Sequence, residues 1–165
     1  MASKKSSKKA KDVPFRQVVA RNRKARHDFL IEEEFEAGIQ LLGSEVKSLR
    51  GGKASLQQSY ARLSSAGELW LVGTNIPEYP WANRLNHEPT RERKLLLHAS
   101  ELNRLKVKTR ERGFTLIPLE IYFNARGKVK VRIGLGRGKR LYDKRAALRK
   151  SDHDREIERA YKGED

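Results

Sequence analysis

The clearest signal along the chain is a pair of apolar–polar alternations, Phe114–Phe123 and Lys128–Leu135, separated by Asn124-Ala125-Arg126-Gly127. Two strands and a short polar turn predict a hairpin. In its second strand Val129, Val131, Ile133 and Leu135 share one face, which puts Lys128, Lys130 and Arg132 together on the other. Pro118 has no N–H for a ladder, so the first strand is expected at an edge or bulged there. Ser59–Leu63 and Glu68–Val72 flank Ser64-Ser65-Ala66-Gly67 and predict a second hairpin, with Trp70 expected in the core.

Helical signals are shorter. Propensity over Gln17–Leu49 favours helix, yet Phe29, Ile31 and Phe35 repeat every two residues, so the pattern alone leaves both readings of that stretch open. In Gly43–Gly52, Ser44 is expected to cap a helix of one or two turns carrying Lys47, ended by the glycine pair. Thr90 is expected to cap a helix bearing Leu95, Leu96, Leu102 and Leu105. It would be interrupted near Ser100, which would cap a second piece that stops before Gly113. Asn75–Pro89, with Pro77, Pro80 and Pro89, reads as an irregular connection in which Trp81 is either a packing anchor or a stacking platform. Gly134, Gly136 and Gly138 read as a flexible exit from the last strand. Beyond Arg137 apolar residues thin out and charges alternate in sign, as in a tail that folds on a partner.

Strands broken by short helices, without regular strand–crossover alternation, favour a small, mainly β barrel. The length of 165 residues supports one core. The expected division is a flexible basic arm at 1–16, an RNA-binding barrel at 17–136 and a flexible tail at 137–165. Thirty-seven Lys and Arg against 21 Asp and Glu give a net charge of +16, which points to a polyanionic partner. No apolar run is long enough to span a membrane, the polar start lacks the core of a signal peptide, and there is no cysteine for a disulfide or a thiolate metal site. A membrane partner and a secreted heparin-binder are disfavoured accordingly.

Catalytic chemistry finds little support. Gly134, Gly136 and Gly138 do not complete a nucleotide fingerprint, and His27, His87, His98 and His153 are scattered without a metal-binding spacing. No metal, no cofactor and no enzymatic activity are expected. The acidic run Glu32, Glu33, Glu34 and Glu36 is expected to be mostly solvated, with one member able to accept a hydrogen bond from a base edge. The clusters Arg91, Arg93, Lys94 and Lys128, Lys130, Arg132 together predict a phosphate-tracking surface. On these grounds an RNA-binding protein is expected, with a general ribosomal or single-strand-binding barrel protein as one form of it and a nucleic-acid-processing enzyme as a more distant reading.

Three segments go further: Asn22–His27 with Phe29–Gly38, Glu45–Lys53 and Pro89–Leu97. Together they resemble the SsrA-binding (SmpB) family, over about residues 19–145. The resemblance implies an oligonucleotide-binding-type β-barrel with about three short flanking helices, and it resolves Phe29–Phe35 as strand. It implies binding to the transfer-RNA-like end of transfer-messenger RNA through Asn22, Glu36 and Leu96. Arg26 and Lys47, inside the matching segments, are counted with these and with the two basic clusters. It also implies a tail motif, Gly138, Lys139, Asp143, Lys144 and Arg145 with Tyr142 before it, that enters the decoding centre and messenger channel of a stalled small ribosomal subunit. Elongation factor Tu and alanyl-tRNA synthetase would be reached only through the RNA, by a monomer in the bacterial cytoplasm.

Overall fold

Residues 16–162 are described in a computed structural model. The basic arm expected at 1–16 lies, except for Arg16, outside them. Seven strands and four helices follow in the order β1 (Gln17–Arg21), α1 (Ala25–Asp28), β2 (Phe29–Ile39), α2 (Gly43–Arg50), β3 (Tyr60–Leu63), β4 (Leu69–Val72), β5 (Arg93–Leu96), α3 (Ala99–Arg110), β6 (Phe114–Phe123), β7 (Val129–Gly138) and α4 (Leu141–Lys162). All pairings are antiparallel. The order β6-β3-β4-β5-β2-β7 closes because β7 pairs back onto β6, and β1 shares with β3 the other edge of β6. This is the mainly β, ring-closed barrel that the alternations predict, and closure removes the free edges of the central strands.

The interior is filled from every strand but by few large side chains from each, among them Phe35, Leu69, Leu71, Leu95, Ile121 and Ile133, with Leu49 of α2 and Leu105 of α3 closing the ends. A second, smaller cluster packs Ala25, Ile117 and Leu119 with Phe29 and Ile31 beneath α1. Both hairpins form as expected, and β6 is bulged between Pro118 and Glu120 rather than placed at an edge. Phe29–Phe35 is strand, so tertiary pairing overrides helical propensity there.

Several expectations are corrected. Residues 93–96 are strand β5, hydrogen-bonded between β4 and β2, so Thr90 caps nothing and the helix begins only at Ala99. Its first turn is closed by Glu101, whose carboxylate accepts the His98 N–H, leaving Ser100 inside the helix. Ser44 likewise sits inside α2, where Glu45 accepts the Leu42 N–H at 2.7 Å. Trp70 is half-buried on the outer face, because Leu69 and Leu71 already take the inward positions. Gly134 and Gly136 are buried members of β7, not a flexible exit. A Cβ on Gly136 would collide with the Leu30 carbonyl across the ladder, so glycine permits β2 and β7 to approach. Beyond these corrections, the alternating charges after Arg137 are compatible with helix, and Leu141–Lys162 form α4 over 22 residues.

Candidate nucleic-acid interface

On the outer face of β1, β6, β7 and β2, register places Arg21, Glu120, Arg132 and Glu36 in one row of alternating sign. Glu120 lies within 3.5 Å of Arg16 and Arg21 and within 3.4 Å of Arg132, and Arg132 also reaches Glu34 at 3.4 Å. These pairs are partly exposed, so each contributes little stability by itself. Their effect is to hold long cationic side chains in fixed positions across the face.

Glu36 is 52% exposed in its side chain, yet its position is defined. One carboxylate oxygen accepts the Tyr122 hydroxyl, and the other lies 3.9 Å from Lys130 Nζ. Tyr122 is 1% exposed, and the Arg16 guanidinium stacks 5.1 Å from its ring centroid. Burial, reinforced by the hydrogen bond to Glu36, raises the phenol pKa above its usual value, so the hydroxyl keeps the proton it donates. Beside Glu36 opens a groove of about 560 Å³ that it lines together with Gly38, Leu96, His98, Lys128 and Lys130. Leu96 is 53% exposed at its rim. Gly38 pairs directly with Leu96 and with Lys130, and its missing side chain leaves that wall low. The structure thus brings Glu36, Leu96, Lys128 and Lys130 together, with Arg132 next to Glu36 in the same row: an acceptor, an apolar contact and cations within reach of one strand of nucleic acid.

Other expected site residues lie elsewhere. Asn22 is partly consumed locally: its amide nitrogen donates to the Pro118 carbonyl at 3.2 Å and its oxygen accepts the Ala25 N–H at 3.2 Å, which fixes the entrance to α1. Arg26, next to it, is exposed and paired with Glu34 at 2.5 Å. Lys94 is paired with Glu68, opposite Trp70. Lys47 projects over the Tyr79 ring, 5.4 Å from its centroid. Arg93, grouped with Arg91 and Lys94 as a surface cluster on the sequence, is 0% exposed. It donates to Glu45 at 2.8 Å and to the carbonyls of Thr74, Arg91 and Pro89 at 2.8–3.0 Å, so no part of it faces solvent. Arg91 grips the same carboxylate at 2.8 and 2.6 Å. Burial opposes ionisation of Glu45, but the Arg91 hydrogen bonds, the Leu42 N–H and the charge of Arg93 outweigh it and hold its pKa below the ordinary value.

At the root of the tail, Gly138 ends β7 opposite Phe29, and Lys139 ties the chain to α1 through its N–H to the Asp28 carbonyl at 2.9 Å and its ammonium to the Arg26 carbonyl at 2.8 Å. Lys144 of α4 lies 3.4 Å from Asp28. Hydrogen bonding to His27 first, and then Lys144, lowers the Asp28 pKa. Asp143 and Arg145 point to solvent from the first turn of α4, which also contains Tyr142.

Sequence reasoning missed Arg16, Glu45, Asp28 and Tyr122. A signal existed for Tyr122, which shares the parity of Glu120 in β6 and therefore its outer face. None existed for Glu45, whose partners stand 46 and 48 residues away. Among the described residues no helix is long and apolar enough to cross a membrane, and no three His, Cys, Asp or Glu are grouped to hold a metal.

Known proteins with similar sequences and folds agree on one family. A model of the SmpB protein family matches residues 19–163. The SsrA-binding protein of Moorella thermoacetica is 56% identical over 143 residues, covering 87% of this chain and 92% of the relative. That of Symbiobacterium thermophilum is 54% identical over 147 residues, covering 89% and 92%. A chain in a solved structure described as "tmRNA-SmpB: a journey to the center of the bacterial ribosome" superimposes with a TM-score of 0.62 at 51% identity, covering 78% of this chain and 93% of that one. The barrel, the Glu36–Leu96 groove and the agreement along nearly the whole chain lead to one assignment: this chain belongs to the SmpB family of SsrA-binding proteins.

Proposed function

We propose that the chain is a non-catalytic RNA adaptor that binds the transfer-RNA-like domain of transfer-messenger RNA and delivers it to the vacant decoding site of a stalled bacterial ribosome. The observation that carries this reading is the Glu36 site. A carboxylate in a protein of net charge +16 is oriented by a buried tyrosine, beside an exposed Leu96 and between cations. Non-specific phosphate binding has no use for it; recognition of a base edge does.

In this reading residues 17–136 form the RNA-binding unit. Glu36 and Leu96 contact bases or riboses, while Lys128, Lys130, Arg132, Arg26, Lys47, Lys94 and the exposed side of Arg91 meet phosphates. Asn22 acts by setting the α1 corner, and Arg93 supports β5 from within. Residues 137–165 address the ribosome: Gly138, Lys139, Tyr142, Asp143, Lys144 and Arg145 meet the decoding centre, and the rest of α4 follows the empty messenger channel. The basic arm at 1–16 adds non-specific attraction. Elongation factor Tu and alanyl-tRNA synthetase join through the RNA, and the work takes place in the cytoplasm by a monomer.

The test is a binding comparison with the full chain. A transfer-RNA-like elbow should bind more tightly than a single strand of equal length at physiological salt, Glu36→Ala should erode that preference without unfolding the protein, and removal of 141–165 should spare it while abolishing tagging of stalled chains. Equal affinity for the two RNAs would refute the reading.

A further inference from the structure

The most exposed large apolar side chains of the described residues are in the connection between β4 and β5. Trp81 is 81% exposed and Leu85 90% exposed. Mobility does not account for this, because the loop that carries them is closed on itself and bolted to α2. The Asn86 amide bridges both backbone groups of Tyr79, accepting its N–H at 3.1 Å and donating to its carbonyl at 2.8 Å. Within the bridge, Ala82 donates to the Tyr79 carbonyl and Leu85 to the Ala82 carbonyl, which forms a tight turn at Asn83–Leu85. Below it, the buried His87 ring bonds Ser44 of α2 and the Ile76 carbonyl, each at 2.9 Å, and the Ser48 hydroxyl donates to the Pro77 carbonyl at 2.7 Å. A hydrogen-bonded loop thus holds an indole and a leucine out in water, close together in sequence.

We propose that this loop is a second RNA contact, in which an unpaired nucleobase stacks on Trp81 with Leu85 beside it. The chemistry around it selects this occupant. Lys47 stands over the ring of Tyr79, two residues before Trp81, and Arg84, three residues after it, is exposed, so the loop carries cations in the same segment as its aromatic side chains, the composition that single-strand stacking sites use. The helix α2 stands between the two sites: Val46 lines the Glu36 groove, while its neighbour Lys47 reaches the Tyr79 ring of the loop. Lys47 therefore serves a phosphate on the loop side, and an RNA crossing α2 spans both sites. The inference rests on the RNA-adaptor reading and extends its footprint.

Trp70 and Trp81 are the two tryptophans of the chain, so Trp70→Phe leaves Trp81 as the single indole reporter; should that variant melt early, the wild-type minus Trp81→Phe difference spectrum serves instead. Titration of the full chain with the transfer-RNA-like domain of transfer-messenger RNA should quench Trp81 emission. Trp81→Ala should weaken binding about 5- to 150-fold, the range for one stacked base, with an unchanged melting temperature. Trp81→Phe should retain most of the affinity, whereas Trp81→Leu, apolar but without a π face, should not. Unquenched emission at saturation, or Trp81→Ala and Trp81→Leu binding as wild type, overturns the proposal. So does a Trp81→Ala chain that binds RNA normally but has lost a protein partner or the ribosome. These outcomes are read with the preference for the RNA elbow intact; loss of that preference in the wild-type chain marks failure of the adaptor reading itself.

Discussion

Replacing Arg93 by Met separates structural from RNA-binding cations. The guanidinium donates four hydrogen bonds, one to Glu45 and three to the backbone carbonyls of Thr74, Arg91 and Pro89, and is 0% exposed. Methionine keeps much of the volume and none of the donors. Glu45 retains Arg91 and the Leu42 N–H, so its charge is not abandoned, but three carbonyls lose a partner at about 1–3 kcal/mol each where water cannot replace it. Allowing for relaxation and for the apolar gain, the loss should be about 3–5 kcal/mol, the range for a broken buried pair. That is about a fifth or more of the stability of an ordinary domain and about 10 °C in melting temperature at this chain length. Thermal and urea unfolding followed by circular dichroism give the stability. RNA affinity, measured at a temperature where the variant remains folded, should stay within about twofold of wild type, since an RNA finds no Arg93 atom to touch. Lys130→Met should show the converse, lower affinity with an unchanged melting temperature. A stable Arg93→Met protein that binds RNA poorly would refute the reasoning and return Arg93 to the interface.

Two further predictions concern the same framework. Gly136→Ala should destabilise by about 2–3 kcal/mol, because its methyl meets the Leu30 backbone rather than a movable side chain, while Gly138→Ala, which meets open space, should be close to neutral; chemical unfolding of both variants checks the contrast. Glu45 has a folded pKa below its unfolded value of 4.5, so its stabilisation is present above pH 4.5 and is lost as pH falls through the lower folded value. The gap in melting temperature between wild type and Glu45→Gln should accordingly persist at pH 7 and close toward pH 2, and a constant gap across that range would contradict the assignment.

What the sequence disclosed, and what it hid, follows from the range of the forces involved. The β6–β7 hairpin was legible because alternation and a turn are local; β2 was not settled by pattern, because its alternation competes with helical propensity, and the family resemblance resolved it. β5 was not legible: only Leu97 and His98 separate its four residues from α3, with no Gly or Pro to mark the change, and only pairing with β4 and β2 makes them extended. Arg93 looked like a surface cation because its burial depends on Glu45, 48 residues away, and on carbonyls of a loop whose path no local rule specifies. Trp70 could have been placed, since Leu69 and Leu71 at odd parity send it outward. For the site, Glu36 and Leu96 came from family resemblance, but their meeting across Gly38, and the Tyr122 hydroxyl that orients the carboxylate, required the closed sheet.

The clamp between Lys139, Lys144 and the short α1 makes the tail a pointer with a fixed pivot. Its 22 helical residues extend about 33 Å at 1.5 Å per residue. A tilt of about 10° at the pivot moves the far end by about 6 Å, on the scale of one helical turn. That pivot rests on the Arg26 and Asp28 carbonyls and the Asp28 carboxylate, and α1 in turn hangs from the Asn22 amide. Any small adjustment of this corner is therefore multiplied along the helix, so the aim of the distant end is set by geometry at the barrel.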